Sequence, residues 1–364
     1  MGAVAPLKIM EILDYLELSL IKGVGNKTLK TLLENLKSPK NIFSSTVSEL
    51  SKFIPKKQAE IILKRDKSYR IKAERELKVI EKKNIKLTHI NDRQYPSILK
   101  EIPDPPIILY YLGDITILDK NIAIVGSRRY SSYGKVITEK FSSELAENGI
   151  NIVSGLALGI DSIAHKSALK VKGKTTAVLG NGIDIIYPYE NKKLFEEIKE
   201  EGCIISEFPI GTTPSKYTFP QRNRVIAGLS YGVIITEAPE KSGALITASY
   251  GLEYNRIIFS IPTNITNPYG KGSNNLLKEG AFPLTDIEDI YKELTFLKLE
   301  RKEQIVNLSS VEKNILKNLS KPTHIDDLVL KTGLEMDKLI EILFEMEMKE
   351  LISNENGLII AKIF

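Results

Sequence analysis

Six short apolar runs alternate with segments of helical periodicity in the middle of the chain. The runs cover residues 122–125, 150–153, 176–179, 203–205, 233–236 and 257–261. Strands that alternate with helices need crossover connections, and such connections build a parallel sheet. The pattern therefore predicts an α/β domain over residues 91–294, with a Rossmann-like parallel sheet and helices on both faces.

Nearly every apolar run ends in glycine, serine or an arginine-bearing turn. Gly126, Ser127 and Arg128 follow the first run, and Gly155 follows the second. Ligands of such sheets bind beyond the carboxyl ends of the strands. Small residues there leave backbone N–H groups uncovered, and an arginine can bind a phosphate through two hydrogen bonds. The turns therefore predict an anion site, for phosphate, at this edge of the sheet.

Two further helix starts add candidates for the same edge. One combines two arginines with an asparagine, a set that suits a phosphodiester backbone, and the other places a lysine before Ser-Gly. The candidate nucleic-acid-binding residues are Gly126, Ser127, Arg128, Gly155, Arg222, Asn223, Arg224, Lys241, Ser242 and Gly243. Each motif alone also fits an ordinary structural turn. Their recurrence at one end of one sheet favours a binding site.

Evidence for catalysis is sparse in the sequence. Asp161 and His165 are four residues apart on a predicted helix, which allows an acid–base pair but is also a common structural pair. We find no Walker motif and no nucleophile-elbow motif. The three histidines are far apart and Cys203 is the single cysteine, so a His/Cys metal site is not expected. We expect no catalytic residues, no cofactor and no metal.

The N-terminal region is predicted to be helical and basic. Residues 1–90 contain 19 Lys and Arg against 10 Asp and Glu. Gly23 and Gly25, between Lys22 and Lys27, resemble the turn of a helix-hairpin-helix or SAM-like domain. In a helix-hairpin-helix the glycines let backbone N–H groups approach a DNA phosphate. A turn without any DNA contact is the alternative.

The C-terminal region predicts a winged helix over residues 308–364, after a linker at 295–307. Ser309 opens a capping box, and Asn356-Gly357 is a strong hairpin signal. The apolar face of the third helix, residues 337–349, is Leu339, Ile340, Leu343, Phe344 and Met346. This helix carries more carboxylates than lysines, so phosphates would repel it. We expect a protein-contact module or a spacer rather than a DNA reader.

Length and composition set the broad class. A chain of 364 residues predicts two or three domains, and 42% hydrophobic residues is normal for a globular protein. The start lacks the layout of a signal peptide, and no apolar run is long enough to span a membrane. We therefore expect a cytoplasmic protein with no membrane partner.

The motifs, taken in order, resemble the DNA-processing protein A family, also called Smf. The matching segments are residues 125–128, 154–157, 159–161, 164–165, 187–188, 206–207, 219–220, 222–230, 242–247 and 280–281. The resemblance covers roughly residues 106–290. It departs from the family at Leu158, where a cation is common, at Thr263, where glycine is usual, and at Gly251, where alanine is common.

This resemblance implies a function that composition does not. The family binds single-stranded DNA, protects it during natural transformation and loads the RecA recombinase, and it forms dimers through the Rossmann-like domain. The family's DNA pocket maps onto Gly126, Ser127, Arg128, Gly155, Arg222 and Arg224.

The alternative is a Rossmann-like nucleotide-binding enzyme or sensor that resembles nucleoside monophosphate glycosidases. Glu207 and Glu237, both at strand ends, could act near a sugar in such an enzyme. A basic segment at residues 1–90 would be superfluous for a mononucleotide, however, and arginines on several turns suit a string of phosphates. The leading hypothesis is a non-enzymatic single-strand DNA binder.

Overall fold

The computed structural model describes residues 4–298, 309–319, 321–348, 351–355 and 357–361. The chain divides into two compact units, Met1–Lys298 and Leu299–Phe364. The N-terminal helices and the central sheet both belong to the first unit. Most of the predicted linker at 295–307 and the predicted hairpin residue Asn356 lie outside the described residues.

A nine-stranded sheet forms the centre of the first unit. Its strands are β1 Lys86–His89, β2 Ile108–Gly113, β3 Asn121–Val125, β4 Asn151–Ser154, β5 Thr175–Val178, β6 Cys203–Ser206, β7 Gly232–Ile235, β8 Ile257–Ser260 and β9 Phe282–Pro283. Their order is β1-β2-β6-β5-β4-β3-β7-β8-β9. All neighbours from β6 to β9 are parallel, whereas β1 and β2 are antiparallel. The six predicted runs are confirmed as β3 to β8, and the antiparallel edge was not predicted.

Helices cover both faces of this sheet, as predicted. The helices of the unit are α1 Val4–Ser19, α2 Asn26–Leu36, α3 Pro39–Ser44, α4 Val47–Leu50, α5 Lys56–Leu63, α6 Lys67–Lys82, α7 Ser97–Lys100, α8 Ser132–Glu147, α9 Ile160–Lys170, α10 Lys192–Glu201, α11 Thr218–Leu229, α12 Gly243–Glu253, α13 Lys271–Lys278 and α14 Ile287–Glu293. Ile122 of β3 packs in a core with Phe141 of α8, while Ala123 packs in a second core with Val225 of α11. Burial on both faces explains why the central strands are almost entirely apolar.

The order of the strands reverses between β3 and β7. From β3 the chain continues to β4, β5 and β6 on one side, and then returns to place β7 and β8 on the other side. Neighbouring crossovers leave in opposite directions at this point, so a crevice opens beyond the carboxyl ends of β3 and β7. The fold therefore places the turn at Gly126 at the position where such sheets bind ligands.

The N-terminal helices pack against the sheet. Gly23, with a φ of 86°, forms the turn between α1 and α2, and Lys22 and Lys27 beside it are exposed. The Tyr110 hydroxyl of β2 donates to the Glu76 carboxylate of α6 at 2.7 Å. Strand β1, residues 86–89, lies within the segment 1–90 that the sequence assigned to the helical domain. The basic region and the sheet therefore share a packed boundary.

The second unit is a winged helix. Its helices are α15 Ser310–Lys317, α16 Ile325–Thr332 and α17 Met336–Met348, and its strands are β10 Thr323–His324, β11 Ile352–Glu355 and β12 Leu358–Ala361. The sheet order is β10-β12-β11. The predicted capping box at Ser309 is present, with the Glu312 N–H donating to the Ser309 hydroxyl at 3.2 Å. Across the described residues of both units, no helix combines the length and apolarity that a membrane span requires.

Candidate nucleic-acid interface

An open cleft of about 540 Å³ lies where the strand order reverses. It is lined by the turns after β3 and β7 and by the first residues of α11 and α12. The predicted site residues in its wall are Gly126, Ser127, Arg128, Arg222, Asn223, Lys241, Ser242 and Gly243. Gly155 lines an adjoining pocket of about 40 Å³ that also includes Arg128 and Arg222. Arg224 is in neither wall.

Small residues allow the turn after β3 to pack closely. A Cβ at Gly126 would lie 2.7 Å from the Ile160 side chain, so only glycine fits between β3 and α9. The Ser127 N–H donates to the Glu237 carbonyl at 2.7 Å, and the Arg129 N–H donates to the Ser127 hydroxyl at 3.0 Å. These bonds fix the backbone on both sides of Arg128.

Arg128 presents an unpaired positive charge at the cleft. Its side chain is exposed, and its guanidinium carbon lies 5.6 Å from the centre of the Phe219 ring. Within the described part of the chain, no carboxylate lies within 4.0 Å of this guanidinium. A cation over a ring face is attracted by the ring's quadrupole. The contact orients Arg128 without neutralising it, so the charge stays available to an anion.

Arg222 lies near the same ring and is buried. Its guanidinium carbon is 5.9 Å from the Phe219 ring centre, and the residue is 6% exposed. Its Nη1 donates to the carbonyls of Gly155 and Val178 at 2.6 Å each. Burial lowers the pKa of Arg222 to about 10, against the attraction of the Asp161 carboxylate, so the side chain remains charged near neutral pH.

Gly155 makes room for this arginine. A Cβ at this position would lie 2.5 Å from the Arg222 Nη1 and 2.7 Å from an Asp161 carboxylate oxygen. Asp161 in turn accepts the Gly155 N–H at 3.1 Å, and burial raises its pKa. Gly155 therefore acts by allowing a charged arginine to approach the backbone of β4.

The start of α12 forms another part of the cleft wall. The Ser242 hydroxyl accepts the Ala244 N–H at 3.2 Å as the N-cap, and the exposed Lys241 precedes it. The Asn223 side chain donates to the Gly243 carbonyl at 3.1 Å and so ties α11 to α12. A helix N-terminus beside a lysine favours negative charge.

Arg224 differs from the other predicted site residues. It is 6% exposed and its guanidinium pairs with the Glu207 carboxylate, while its Nε lies 3.6 Å from an Asp104 carboxylate oxygen. The Asn26 side chain, at the start of α2, approaches Glu207 at 3.5 Å. The sequence predicted that Arg224 contacts phosphate, but the structure places Arg224 outside the cleft. Arg222 and Arg224 are two residues apart on α11, and residues with this spacing point to different sides of a helix.

Other residues of the cleft were not among the predicted site residues. Arg129 and Tyr269 line the cleft, and Tyr187 lines the adjoining pocket. The Tyr187 and Phe219 ring centres are 5.8 Å apart, and Tyr187 is exposed. Leu158 also lines this pocket. Arg129 could have been predicted as a cleft residue, because it directly follows Arg128 in the sequence.

The structure gives the residues of the acid–base hypotheses other hydrogen-bond partners. The His165 Nδ1 lies 2.6 Å from the Thr175 hydroxyl, and burial lowers the pKa of His165 to about 3, so this imidazole is neutral. Asp161 has separate partners, so the two do not form an acid–base pair. Glu237 accepts the Ser131 hydroxyl at 2.6 Å. Neither Glu237 nor Glu207, the two carboxylates named for the enzyme alternative, lines the cleft.

The sequence matches the model of a known protein family over more than half of its length. The family model described as DNA recombination-mediator protein A matches residues 86–295. This chain belongs to that family. A second model, described as the DprA winged helix domain, matches residues 300–357. The resemblance drawn from the sequence motifs is thus confirmed.

Individual relatives share this similarity. The chain is 42% identical to protein Smf of Synechocystis sp. over 275 residues, which cover 73% of this chain and 68% of that protein. It is 42% identical to DNA processing protein DprA of Bacillus subtilis over 225 residues, or 61% of this chain and 76% of that protein.

Two solved structures are similar as well. DNA processing protein A from Streptococcus pneumoniae superposes with a TM-score of 0.64 at 35% identity, over 77% of this chain and 97% of that one. The Helicobacter pylori protein, whose structure is described for its single-stranded DNA binding mode, gives a TM-score of 0.53 at 35% identity. That comparison covers 58% of this chain and 96% of the other.

Proposed function

We propose that this protein binds single-stranded DNA in the cleft beyond β3 and β7. The observation that carries the proposal is that Arg128 and Arg222 both line the cleft with their guanidinium groups near the Phe219 ring. Two positive charges near one aromatic ring can hold successive phosphates while a base stacks on or beside the ring. The neighbouring N-terminus of α12 supplies a further position for negative charge.

The shape of the cleft favours a strand over a mononucleotide. The main cleft and the small pocket share Arg128, Arg222 and Phe219, so a ligand that occupies both must pass along this ring. The exposed Tyr187 extends the aromatic surface on the pocket side. Unpaired bases can stack on such rings, whereas the bases of a duplex are already stacked on one another. We expect binding to depend little on sequence and strongly on salt.

Family membership supports this proposal and extends it. The relatives are named as DNA processing proteins, and the Helicobacter pylori structure is described for its binding of single-stranded DNA. We infer that this chain likewise has a non-enzymatic role in which it protects incoming DNA during natural transformation and loads the RecA recombinase. A homodimer formed through the Rossmann-like domain and a cytoplasmic location remain parts of the same proposal.

The proposal is tested by titrating the full chain with fluorescent oligo-dT and, separately, with AMP. Oligo-dT is expected to bind, and AMP is not expected to displace it. An unlabelled duplex of the same length should compete less well than an unlabelled single strand. Equal competition by the duplex would contradict the preference for single strands. Tight binding of AMP with displacement of oligo-dT would support the nucleotide-binding alternative instead.

The RecA and dimer proposals need their own measurements. RecA added to single strands coated with a single-strand-binding protein should begin ATP hydrolysis sooner when this protein is present. No acceleration would contradict the loading role. Sedimentation equilibrium should give the mass of two chains, and the mass of one chain at all concentrations would contradict the dimer.

A further inference from the structure

Helix α17 of the winged helix has a wider apolar sector than its own domain covers. The apolar pattern of the sequence predicted Ile340 and Phe344 on the same face as Leu339, but the structure separates them. Leu339 is fully buried, whereas Ile340 is 50% and Phe344 is 65% exposed. Met336, one turn before Ile340, is 37% exposed. Single exposed apolar residues are ordinary, but a row of three on one helix is the pattern of a docking surface.

Three sets of side chains follow one another around α17 at about 100° per residue. They are the buried set Leu339, Leu343 and Met346, the exposed apolar row Met336, Ile340 and Phe344, and the acidic row Asp337, Glu341 and Glu345. Members of each row are spaced four apart, so each row lies along one side of the helix. The exposed apolar row is about 12 Å long at 1.5 Å per residue.

The position and charge of this surface exclude the usual role of the third helix. In DNA-binding relatives of this fold, that helix enters the major groove and approaches phosphates on both sides. Here a row of carboxylates would meet those phosphates, and the residues nearest to the bases would be an isoleucine and a phenylalanine. Burying the apolar row against DNA would also leave charges of like sign opposed. The ligand of this helix must instead bring an apolar strip and positive charge.

We propose that the exposed apolar row of α17 binds an amphipathic, basic helix of a partner protein. The apolar face of such a helix would cover Met336, Ile340 and Phe344, in the way that helix-in-groove complexes use anchors spaced by three or four residues. Its lysines or arginines would lie along the acidic row, beside Asp337 and Glu341. This charge complementarity would set the partner's orientation and speed its encounter.

The test uses the full chain and a fluorescent synthetic peptide that places leucine on one helical face and lysine on the other. Two further probes keep the leucines, one with glutamate in place of lysine and one with the order of residues scrambled. The leucine–lysine peptide should bind, and the other two should bind at least about tenfold more weakly. The double variant Ile340→Ser/Phe344→Ser should weaken the leucine–lysine peptide by about tenfold or more.

A charge reversal tests the acidic row separately. Asp337→Lys/Glu341→Lys should weaken the leucine–lysine peptide and strengthen the leucine–glutamate peptide. The matched control is Ile265→Ser, because Ile265 is 91% exposed in the first unit and should not affect either peptide. All these side chains are exposed, so the thermal melting curves should match that of the wild type. Oligo-dT affinity should also stay unchanged in every variant, which separates this proposal from the proposed function.

Four results would overturn the inference. The Ile340→Ser/Phe344→Ser variant could bind the leucine–lysine peptide as well as the wild type does, or the glutamate peptide could bind the wild type equally well. A loss of duplex DNA binding in the same variant would make α17 a DNA reader. A fall in the sedimenting mass of that variant to half the wild-type value would make a second copy of this chain the occupant.

Discussion

Replacing Arg128 by alanine should weaken single-strand binding and leave the fold intact. Arg128 is exposed and has no carboxylate partner among the described residues, so its removal breaks no ion pair. The turn that carries it is held by backbone bonds of Ser127 and Arg129, which remain in the variant. The free energy of unfolding should therefore change by about 0.5 kcal/mol or less.

The loss of affinity follows from the contact that disappears. A charge-assisted hydrogen bond to a phosphate contributes about 1–3 kcal/mol, which corresponds to a rise in Kd of about 5- to 150-fold. One lost phosphate contact should also reduce the slope of log affinity against log salt by about 0.7 for a single strand. Fluorescence anisotropy with oligo-dT at several salt concentrations measures both quantities. The affinity of Arg128→Lys should lie between those of the wild type and Arg128→Ala, because lysine keeps the charge but cannot form two parallel hydrogen bonds to a phosphate.

The matched control for this variant is Arg93→Ala. Arg93 is also exposed but does not line the cleft, so its removal changes net charge equally without a lost contact. Its Kd and salt slope should stay close to the wild-type values. If Arg128→Ala and Arg93→Ala give the same affinity, Arg128 is not part of the binding site, and the geometric argument fails.

Three further predictions concern the surroundings of the cleft. Arg224→Met should lower the free energy of unfolding by about 3–5 kcal/mol, because it leaves the buried Glu207 carboxylate unpaired. A large loss of DNA affinity with little loss of stability would instead make Arg224 a phosphate contact. Because the pKa of His165 is lowered to about 3 in the folded chain, protons bind the unfolded chain more readily below pH 6.5. Stability should thus rise from pH 3 to 6.5, by at most about 1.4 kcal/mol per pH unit from this group, and His165→Gln should lose that part of the slope in urea titrations. Lys22→Ala/Lys27→Ala should flatten the salt dependence of oligo-dT binding, whereas deletion of the second unit should not; the reverse result would contradict the assignment of roles by charge.

The role of the basic N-terminal region is better tested by substitution than by deletion. The charge asymmetry alone would suggest deleting residues 1–90. That segment, however, includes β1 and also Glu76, which makes a buried hydrogen bond with Tyr110 of β2. Its removal would expose the edge of the sheet and would change stability together with charge. Substituting the exposed Lys22 and Lys27 tests the same idea on an intact fold.

The central strands could be predicted because each is buried on both faces, which forces a nearly continuous apolar run. Strands β1 and β2 could not be predicted in the same way. β2 pairs antiparallel with β6, and β1 is partly exposed and follows a charged helix. Both strands depend on pairing with segments that are distant in the sequence, and no local hydrophobic periodicity predicts such pairing.

The site was predicted to the extent that its residues lie in turns at strand ends. The roles of the arginines were not separated, because burial depends on which backbone carbonyls converge. Arg222 is held by the carbonyl of Gly155, directly after β4, and by that of Val178, at the end of β5, whereas Arg224 is held by Glu207. Similarly, the apolar residues of α17 all looked like core until the structure showed which of them the domain covers.

The most direct test of single-strand binding at this cleft is photo-crosslinking. The full chain is irradiated with an oligonucleotide that carries 5-iodouracil, and the crosslinked peptides are identified by mass spectrometry. We predict crosslinks at Phe219 or Tyr187, the exposed or half-buried rings beside Arg128, and a marked loss of them in Arg128→Ala. Crosslinks confined to the N-terminal helices or to the second unit would contradict it.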